Sequence, residues 1–482
     1  MIDLRPVGYV VGLMVAILGA SMLIPMALDW WMGNGHATVF LVSAIITALI
    51  GGLVALASSN GVGPRLSIQQ TFLLTTGVWL ALPVFGAVPF AFGPGEVRPV
   101  DAFFEAMSGL TTTGSTVFTD IELLPEGVRL WRAMLQWFGG IGIIVVAMVF
   151  LPELRVGGMQ IFRSEGFDTF GKILPRATEI AQRISVIYAG LTLACVLAYL
   201  GLGMGPLDAI CHAMTTIATG GFANYDSSFA DFGIGIEYAA AVFMLLAALP
   251  FVRFVQLAAG SAQPLLSDPQ IRAFFGTALV LVLAMTLWLW VSSPLTGEVG
   301  FRKALFNIVS ILTGTGYASA DYDHWGAFPV VLFFFVGLIG GCAGSTSCSI
   351  KVFRYQLLIS AIKAQVRLIH SPHGIFSPRY GGRSVGEDVL SSVMAFFVLF
   401  VVTLGVVAVL LSSTGLDFIT SVSGAAAALA NIGPGLGPEI GPSGNFSGLG
   451  DTAKWILIAA MLIGRLELMA VYVLFTLKFW RT

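Results

Sequence analysis

Charge is scarce in this chain. Of 482 residues, 24 are Lys or Arg and 26 are Asp or Glu, 10% in all, against roughly 25% in a typical soluble domain. Cysteine is nearly absent, with four residues, and histidine is limited to five. Cys195, Cys211, Cys342 and Cys348 sit among apolar or small residues, with no CxxC pair and no Cys/His metal spacing. They read as free thiols, and a secreted disulfide scaffold is excluded. The net charge of −2 leaves no basic footprint for nucleic acid. The histidines, His36, His212, His324, His370 and His373, are scattered over different loops. They provide no clustered nucleophile, base or metal site, which argues against an enzyme.

What fills the chain instead is apolar. Hydrophobic residues make up 57%, and the mean hydropathy is +0.90. This composition predicts an integral membrane protein with several spans and lipid around it. A spanning helix needs roughly 20 apolar residues. About ten stretches qualify, centred near Ile17, Ile46, Trp79, Val146, Leu193, Met244, Val282, Phe335, Val401 and Leu462. The first, Val10 to Ala27, is long for a signal peptide and has only Arg5 before it, so it reads as a retained span.

Basic residues in short loops mark the cytoplasmic side. Arg65, then Arg155, Arg163, Lys172, Arg176 and Arg183, then Arg272, then Lys351, Arg354, Lys363, Arg367, Arg379 and Arg383, then Lys478 and Arg481 all fall on one side if the spans alternate. Both termini then lie inside. The opposite loops carry acids, among them Glu96, Asp101, Glu105, Asp208, Asp226, Glu298, Asp323 and Asp417, with a few bases such as Arg98, Arg132, Arg302, Lys303 and Lys454. An acidic face concentrates cations. Ordinary solvated loops would look the same.

A repeat runs through those acidic loops. Asp101 begins DAFFEAMSGLTTTG, ending at Gly114, and Asp208 begins DAICHAMTTIATGG, ending at Gly221. Lys303 begins KALFNIVSILTGTG, ending at Gly316, and Thr420 begins TSVSGAAAALANIG, ending at Gly433. Four residues before each final glycine stand Leu110, Ile217, Leu312 and Leu429; six before stand Ser108, Thr215, Ser310 and Ala427. The period is about 95–117 residues.

Each copy lies between two long apolar stretches. Each begins with about ten residues able to form a short helix, too few to cross a bilayer. Such a helix can enter partway and return as an extended loop. Extended backbone at membrane depth is tolerated only inside protein or beside a water-filled cavity. Four such loops can surround one axis and stack their carbonyls into a constriction. Carbonyl oxygens can replace the hydration shell of a potassium ion. The four strips, Thr111 to Ser115, Ala218 to Phe222, Thr313 to Tyr317 and Ala430 to Pro434, share only one glycine. Their inequality predicts looser selectivity than in a symmetric filter. Four Gly/Thr-rich turns at helix ends are the simpler alternative for any single copy.

These motifs resemble the TrkH/TrkG potassium-translocating family of bacteria, within the Trk/Ktr/HKT superfamily. The matching segments are FFEAMSGLTTTGST (Phe103–Thr116), TTIATGGFANYDSS (Thr215–Ser228), GTGYAS (Gly314–Ser319), NIGPGLGP (Asn431–Pro438), GGCAGSTS (Gly340–Ser347) and WLALPVFGAVPF (Trp79–Phe90). The resemblance covers nearly the whole chain. It implies an all-α polytopic membrane protein: four span–pore-loop–span repeats in pseudo-four-fold arrangement around one ion pore, plus two extra N-terminal transmembrane helices. The corresponding division is 1–66 for the extra helices, 67–155, 156–265 and 266–384 for the first three repeats, and 385–482 for the fourth. It also implies potassium at a filter built from Thr112, Thr113 and Gly114, Thr219, Gly220 and Gly221, Gly314, Thr315 and Gly316, and Asn431, Ile432 and Gly433. Family members are homodimers of the bacterial inner membrane. They associate with a cytosolic TrkA-type ring that binds NAD and ATP. This chain has no phosphate-binding loop of its own, so no organic cofactor is expected in it.

The eighth stretch is broken by Gly340-Gly341-Cys342-Ala343-Gly344-Ser345-Thr346-Ser347-Cys348-Ser349. By resemblance this is a gate loop below the filter; a kinked helix of small residues for close packing is the alternative. Relatives usually carry a glycine pair where this chain has Cys348-Ser349. Arg465 and Glu467 lie inside the last stretch, where charges are expensive and face a cavity or a partner. The family places an arginine at Arg465, projecting into the pore. It could pair with Glu467 or with carbonyls of the gate loop. A second function, potassium symport with sodium or protons, would need a deep carboxylate, for which Glu467 is the candidate.

Overall fold

The computed structural model describes residues 2–61, 66–93, 97–150, 157–159, 161 and 177–481. Arg65, Glu96, Arg155, Arg163, Lys172 and Arg176 lie outside the described residues. The described chain is helical almost throughout. Its one sheet is a two-stranded antiparallel pair, Arg379–Tyr380 with Arg383–Ser384.

Among the described residues, seven helices are long and apolar enough to cross a membrane: Arg5–Met32, Ala37–Gly61, Ile68–Ala91, Glu126–Met148, Ala181–Gly201, Pro269–Ser292 and Glu387–Ser412. The described residues therefore do not form ten unbroken spans. Two of the remaining stretches are bent pairs. Ile234–Ala247 and Phe251–Ala258 meet at 92°, and Asp451–Arg465 and Met469–Phe475 meet at 104°. Pro250 lies at the first corner, where its ring and missing N–H prevent the helix from continuing. Glu467 and Leu468 make the second corner, with φ of +60° and +50°. The eighth stretch holds only an 11-residue helix, Ala327–Gly337. The chain then leaves the helix and resumes it only at Val352–His370. Glycines at 340, 341 and 344 lie in that gap, and Gly344 has φ of +76°.

Apolar side chains fill the interior and also cover the helix exteriors, while several charges are buried. Leu197, Leu279, Val291 and Val401 are exposed on the helix exteriors. Glu105, Arg132, Glu237, Arg354 and Lys454 are buried. Hydrocarbon requires this, because each charge inside must meet a partner within the protein.

The two N-terminal helices pack through small residues. A Cβ on Gly12 would lie 2.6 Å from the Ala55 nitrogen, and one on Gly51 would lie 2.5 Å from the Ala16 nitrogen. Backbones this close need glycine on the contact face. The buried Asp29 ties this hairpin to the body. Its carboxylate accepts from the Gly127 N–H at 2.6 Å and from Asn34 Nδ2 at 2.6 Å.

Candidate functional site

Four short helices lead into the glycine strips: Pro99–Leu110, Pro206–Ile217, Gly297–Leu312 and Phe418–Ala430. Their 12, 12, 16 and 13 residues are too few to span. Pro at the start suits the first two, since the first-turn N–H has no helical partner. Asp417 caps the fourth by accepting from Ile419 and Thr420 N–H at 3.1 and 3.3 Å.

All four end alike. Thr113 N–H donates to Ser108 O at 2.8 Å and Gly220 to Thr215 O at 2.8 Å. Thr315 donates to Ser310 O at 2.9 Å and Ile432 to Ala427 O at 2.9 Å. The bond thus runs each time from the residue before the glycine to the residue six before it. A left-handed residue makes such a closure possible. It is Thr112, Thr219, Gly314 or Asn431, with φ of +50°, +49°, +75° and +51°. Gly114, Gly221 and Gly316 are left-handed again, at +87°, +80° and +85°. Gly433 is not, which sets the fourth strip apart. Alternating hand departs from a pleated strand, whose successive groups point to opposite faces.

The strips then close on one another. A Cβ on Gly114 would overlap the Gly220 carbonyl oxygen, and one on Gly221 the Thr315 carbonyl oxygen. A Cβ on Gly316 would lie 2.8 Å from the Gly433 nitrogen, and one on Gly433 would lie 2.9 Å from the Gly114 carbonyl. First touches second, second touches third, third touches fourth, and fourth touches first. Ser115 Oγ donates to Gly433 O at 2.8 Å across the closing joint. The four glycines border a single cavity, together with Asp226, Arg132 and Asn445. Thr112, Thr113, Thr315 and Asn431 are fully buried behind it. The hydroxyls of Thr111 and Thr113, and of Thr313 and Thr315, pair at 2.8 Å.

One set of residues escapes motif reading. Nine positions before the glycine stand Glu105, His212 and Asn307. Each side chain accepts the backbone N–H three residues beyond its glycine. Glu105 Oε2 takes Val117 N–H at 3.0 Å, His212 Nε2 takes Asn224 N–H at 3.3 Å, and Asn307 Oδ1 takes Ser319 N–H at 3.1 Å. The fourth repeat has Gly424 at that position. Its neighbour Ser423 accepts Leu436 N–H at 2.9 Å instead. The signal was present in the aligned repeats as one column of three polar residues. Their differing chemistry, Glu, His and Asn, concealed it.

Glu105 and Arg132 are therefore not solvated loop charges. They form a buried pair at 2.7 Å, and Arg132 Nη1 also donates to Ala223 O at 2.8 Å. Lys454, also buried, donates to Asp101 Oδ1 at 2.7 Å, linking the first repeat to the fourth. Burial opposes the charge of Asp101, but the hydrogen bonds from Arg98 and Lys454 outweigh it and hold its carboxyl below the usual range.

The interrupted stretch lies directly against the strips. A Cβ on Gly314 would lie 3.6 Å from Cys348 N, and Ser349 Oγ donates to Gly337 O at 2.7 Å and reaches Ala430 O at 3.3 Å. Gly340, Gly341, Gly344, Ser345, Thr346 and Ser347 are all buried. Cys342 N–H donates to Ala248 O at 3.0 Å, Phe251 N–H to Gly344 O at 3.0 Å, and Thr346 Oγ1 to Ala247 O at 3.0 Å. The partners at the 92° corner are the open carbonyls of Ala247 and Ala248 and the free N–H of Phe251. The broken helix and the bent pair thus satisfy each other's backbone groups.

Arg465 is buried between this loop and the first repeat. Its guanidinium donates to Gly139 O at 2.9 Å, contacts Cys348 Sγ, and sits 5.2 Å from the Trp79 ring centre. Glu467 is not its partner. The 104° corner turns Glu467 toward Arg354, with which it pairs. Lys351 and Arg354 are buried here too, rather than exposed in a cytoplasmic loop; Lys351 Nζ contacts Ser347 O. Lys363, Arg367, Arg379 and Arg383 are exposed.

A family model described as TrkH, a cation transport protein, matches residues 36–481. The chain is 44% identical over 414 residues to the Trk system potassium uptake protein TrkI of Halomonas elongata, covering 86% of this chain and 84% of that one. It is 36% identical over 483 residues to the potassium uptake protein TrkH of Escherichia coli K12, covering 99% of each. Among solved structures, the potassium transporter TrkH from Vibrio parahaemolyticus superposes with a TM-score of 0.92 at 34% identity, covering 100% of both chains.

Proposed function

The chain belongs to the TrkH family of cation transport proteins, and from that premise we propose that it takes potassium into a bacterial cell through a gated, channel-like pore. The observation that carries this reading is the closed ring of four glycines around one cavity. A hydrated ion enters that cavity. It exchanges water for carbonyls of Thr112, Thr113, Thr219, Gly220, Gly314, Thr315, Asn431 and Ile432. The glycines let neighbouring strips approach where any Cβ would collide. The buried threonines and Asn431 hold the strips from behind.

Below the filter, the loop from Gly340 to Ser349 obstructs the path. Arg465 adds a fixed positive charge beside it, which raises the barrier to a cation. The loop opens when a cytosolic TrkA-type ring, binding NAD or ATP, acts on the exposed basic surface that includes Lys363 and Arg379. The assembly is a homodimer in the inner membrane with one pore per subunit.

Passive conduction is favoured over symport. Symport needs a deep carboxylate free to bind a coupling ion. Glu467 is paired with Arg354, Glu105 with Arg132, and Glu237 with Arg302.

Rubidium uptake into proteoliposomes under a set membrane potential tests the reading. We expect flux that potassium blocks and sodium hardly affects. Flux that appears only with an added sodium or proton gradient would favour symport. If the chain alone is silent, flux should appear when the cytosolic partner is added.

A further inference from the structure

Each strip is held at two points. One is the hydrogen bond that closes its helix, and the other is the side chain that takes the N–H three residues past the glycine. We propose that Glu105, His212, Asn307 and Ser423 are positioning residues for the ion path, and that His212 serves only in its neutral form. The inference rests on the potassium reading above.

The repetition is the main support. Four loops of different sequence place an acceptor on the same backbone N–H. Where the fourth loop lacks a side chain at the equivalent position, the adjacent serine supplies the acceptor. A carbonyl ring discriminates between ions only if its oxygens are held to fractions of an ångström. The brace fixes the strip at its exit, just where the helix no longer can.

The four acceptors differ in chemistry, so they differ in what disables them. His212 Nδ1 faces the Asp208 carbonyl oxygen at 2.8 Å. A carbonyl only accepts, so Nδ1 carries the hydrogen. Nε2 faces the Asn224 N–H, which only donates, so Nε2 is bare. This assignment follows from the partners. Protonation at Nε2 would set two donors against each other and release the second strip.

Among the described residues, the Asn224 N–H is the one hydrogen-bond partner of Nε2. Asp208 and Cys211 share the helix with His212. The Asp208 carboxylate is engaged by Asn224 Nδ2 and Tyr225 Oη, both at 2.8 Å. Arg132, from the Glu126–Val145 helix, opposes a second positive charge, while Asp208 favours one. Tyr317, from the third loop, donates to the His212 carbonyl at 3.2 Å. Phe229 and Phe232 pack edge-on to the imidazole, with ring centres at 5.2 and 5.1 Å.

The test compares wild type, His212→Asn and His212→Leu in full-length protein, reconstituted for rubidium uptake with potassium or sodium as competitor. Uptake is read at about pH 7.5 and about pH 3, the lower value well beneath free imidazole titration because burial disfavours the charged ring. Asn307 shows that an amide makes this bond, so His212→Asn should keep the potassium preference at both values. His212→Leu should lose at least several-fold of the preference at neutral pH while still conducting. Wild type should lose preference on acidification, and His212→Asn should not. If His212→Leu does not fold, the pH profiles of wild type and His212→Asn still decide. Equal preference in His212→Leu and wild type, or identical acid sensitivity in wild type and His212→Asn, would overturn the proposal. A wild-type chain without potassium preference at neutral pH would overturn the potassium reading itself.

Discussion

Arg465 holds its charge against a carbonyl, a thiol and an indole, with no carboxylate among those contacts. An uncompensated cation next to an ion path acts directly on the barrier. Arg465→Ala should therefore raise rubidium flux several-fold, since each ~1.4 kcal/mol removed from a barrier is about tenfold in rate. Unchanged or lower flux in reconstituted protein would count against an electrostatic barrier. At this scale the sequence was legible in part. The four glycines stood out because each repeat keeps one at the same place. Arg465 stood out because a charge in an apolar run is rare. Its partners were not legible, since the corner at Glu467 and Leu468 decides which way each side chain turns, and neither residue signals a left-handed conformation. The brace residues were passed over for a related reason. They share a geometric task, accepting one N–H, which four unlike side chains, Glu105, His212, Asn307 and Ser423, perform.

Helices show the same division. The apolar stretches were read correctly as membrane elements by their composition. Composition could not tell a straight span from a bent one. Ile234–Ala258 and Asp451–Phe475 carry as much apolar sequence as their neighbours, yet each turns a corner, of 92° and 104°. Those bends exist because the backbone groups they free are taken up elsewhere, as the Ala248 carbonyl is by Cys342 N–H. That pairing is tertiary and leaves no local pattern. The N-terminal hairpin is a separate case. Its helices touch through Gly12, Gly19 and Gly51, far from the glycine ring. Gly51→Val should force the two backbones apart and lower the unfolding temperature in detergent by several degrees. It should leave the potassium-over-sodium preference unchanged. A variant with wild-type stability would mean that the close approach is not needed. A variant with altered preference would mean that the hairpin supports the filter.

For the molecule as a whole, the repeat is the deciding feature. One Gly/Thr-rich turn has no function by itself. Four in register, each ending a helix too short to span, have one arrangement that satisfies their backbones, a ring around a shared cavity. The closing contact between Gly433 and Gly114 joins the last loop to the first. It could not be read from any single segment, because it depends on all four units being present. The ring also explains why the strips tolerate unequal sequence. The shared requirement is backbone hand and close approach, and Asn431 meets the first of these as Thr112 and Thr219 do. Gly114, Gly221 and Gly316 each meet both requirements; at Gly316 φ is +85° and a Cβ would lie 2.8 Å from the Gly433 nitrogen of the fourth strip. The most direct test is the ratio of potassium to sodium inhibition of rubidium flux in Gly316→Ser beside wild type. The ring predicts that Gly316→Ser still conducts but loses at least several-fold of its potassium preference. An unchanged ratio would contradict the assignment of these four loops as the selective element.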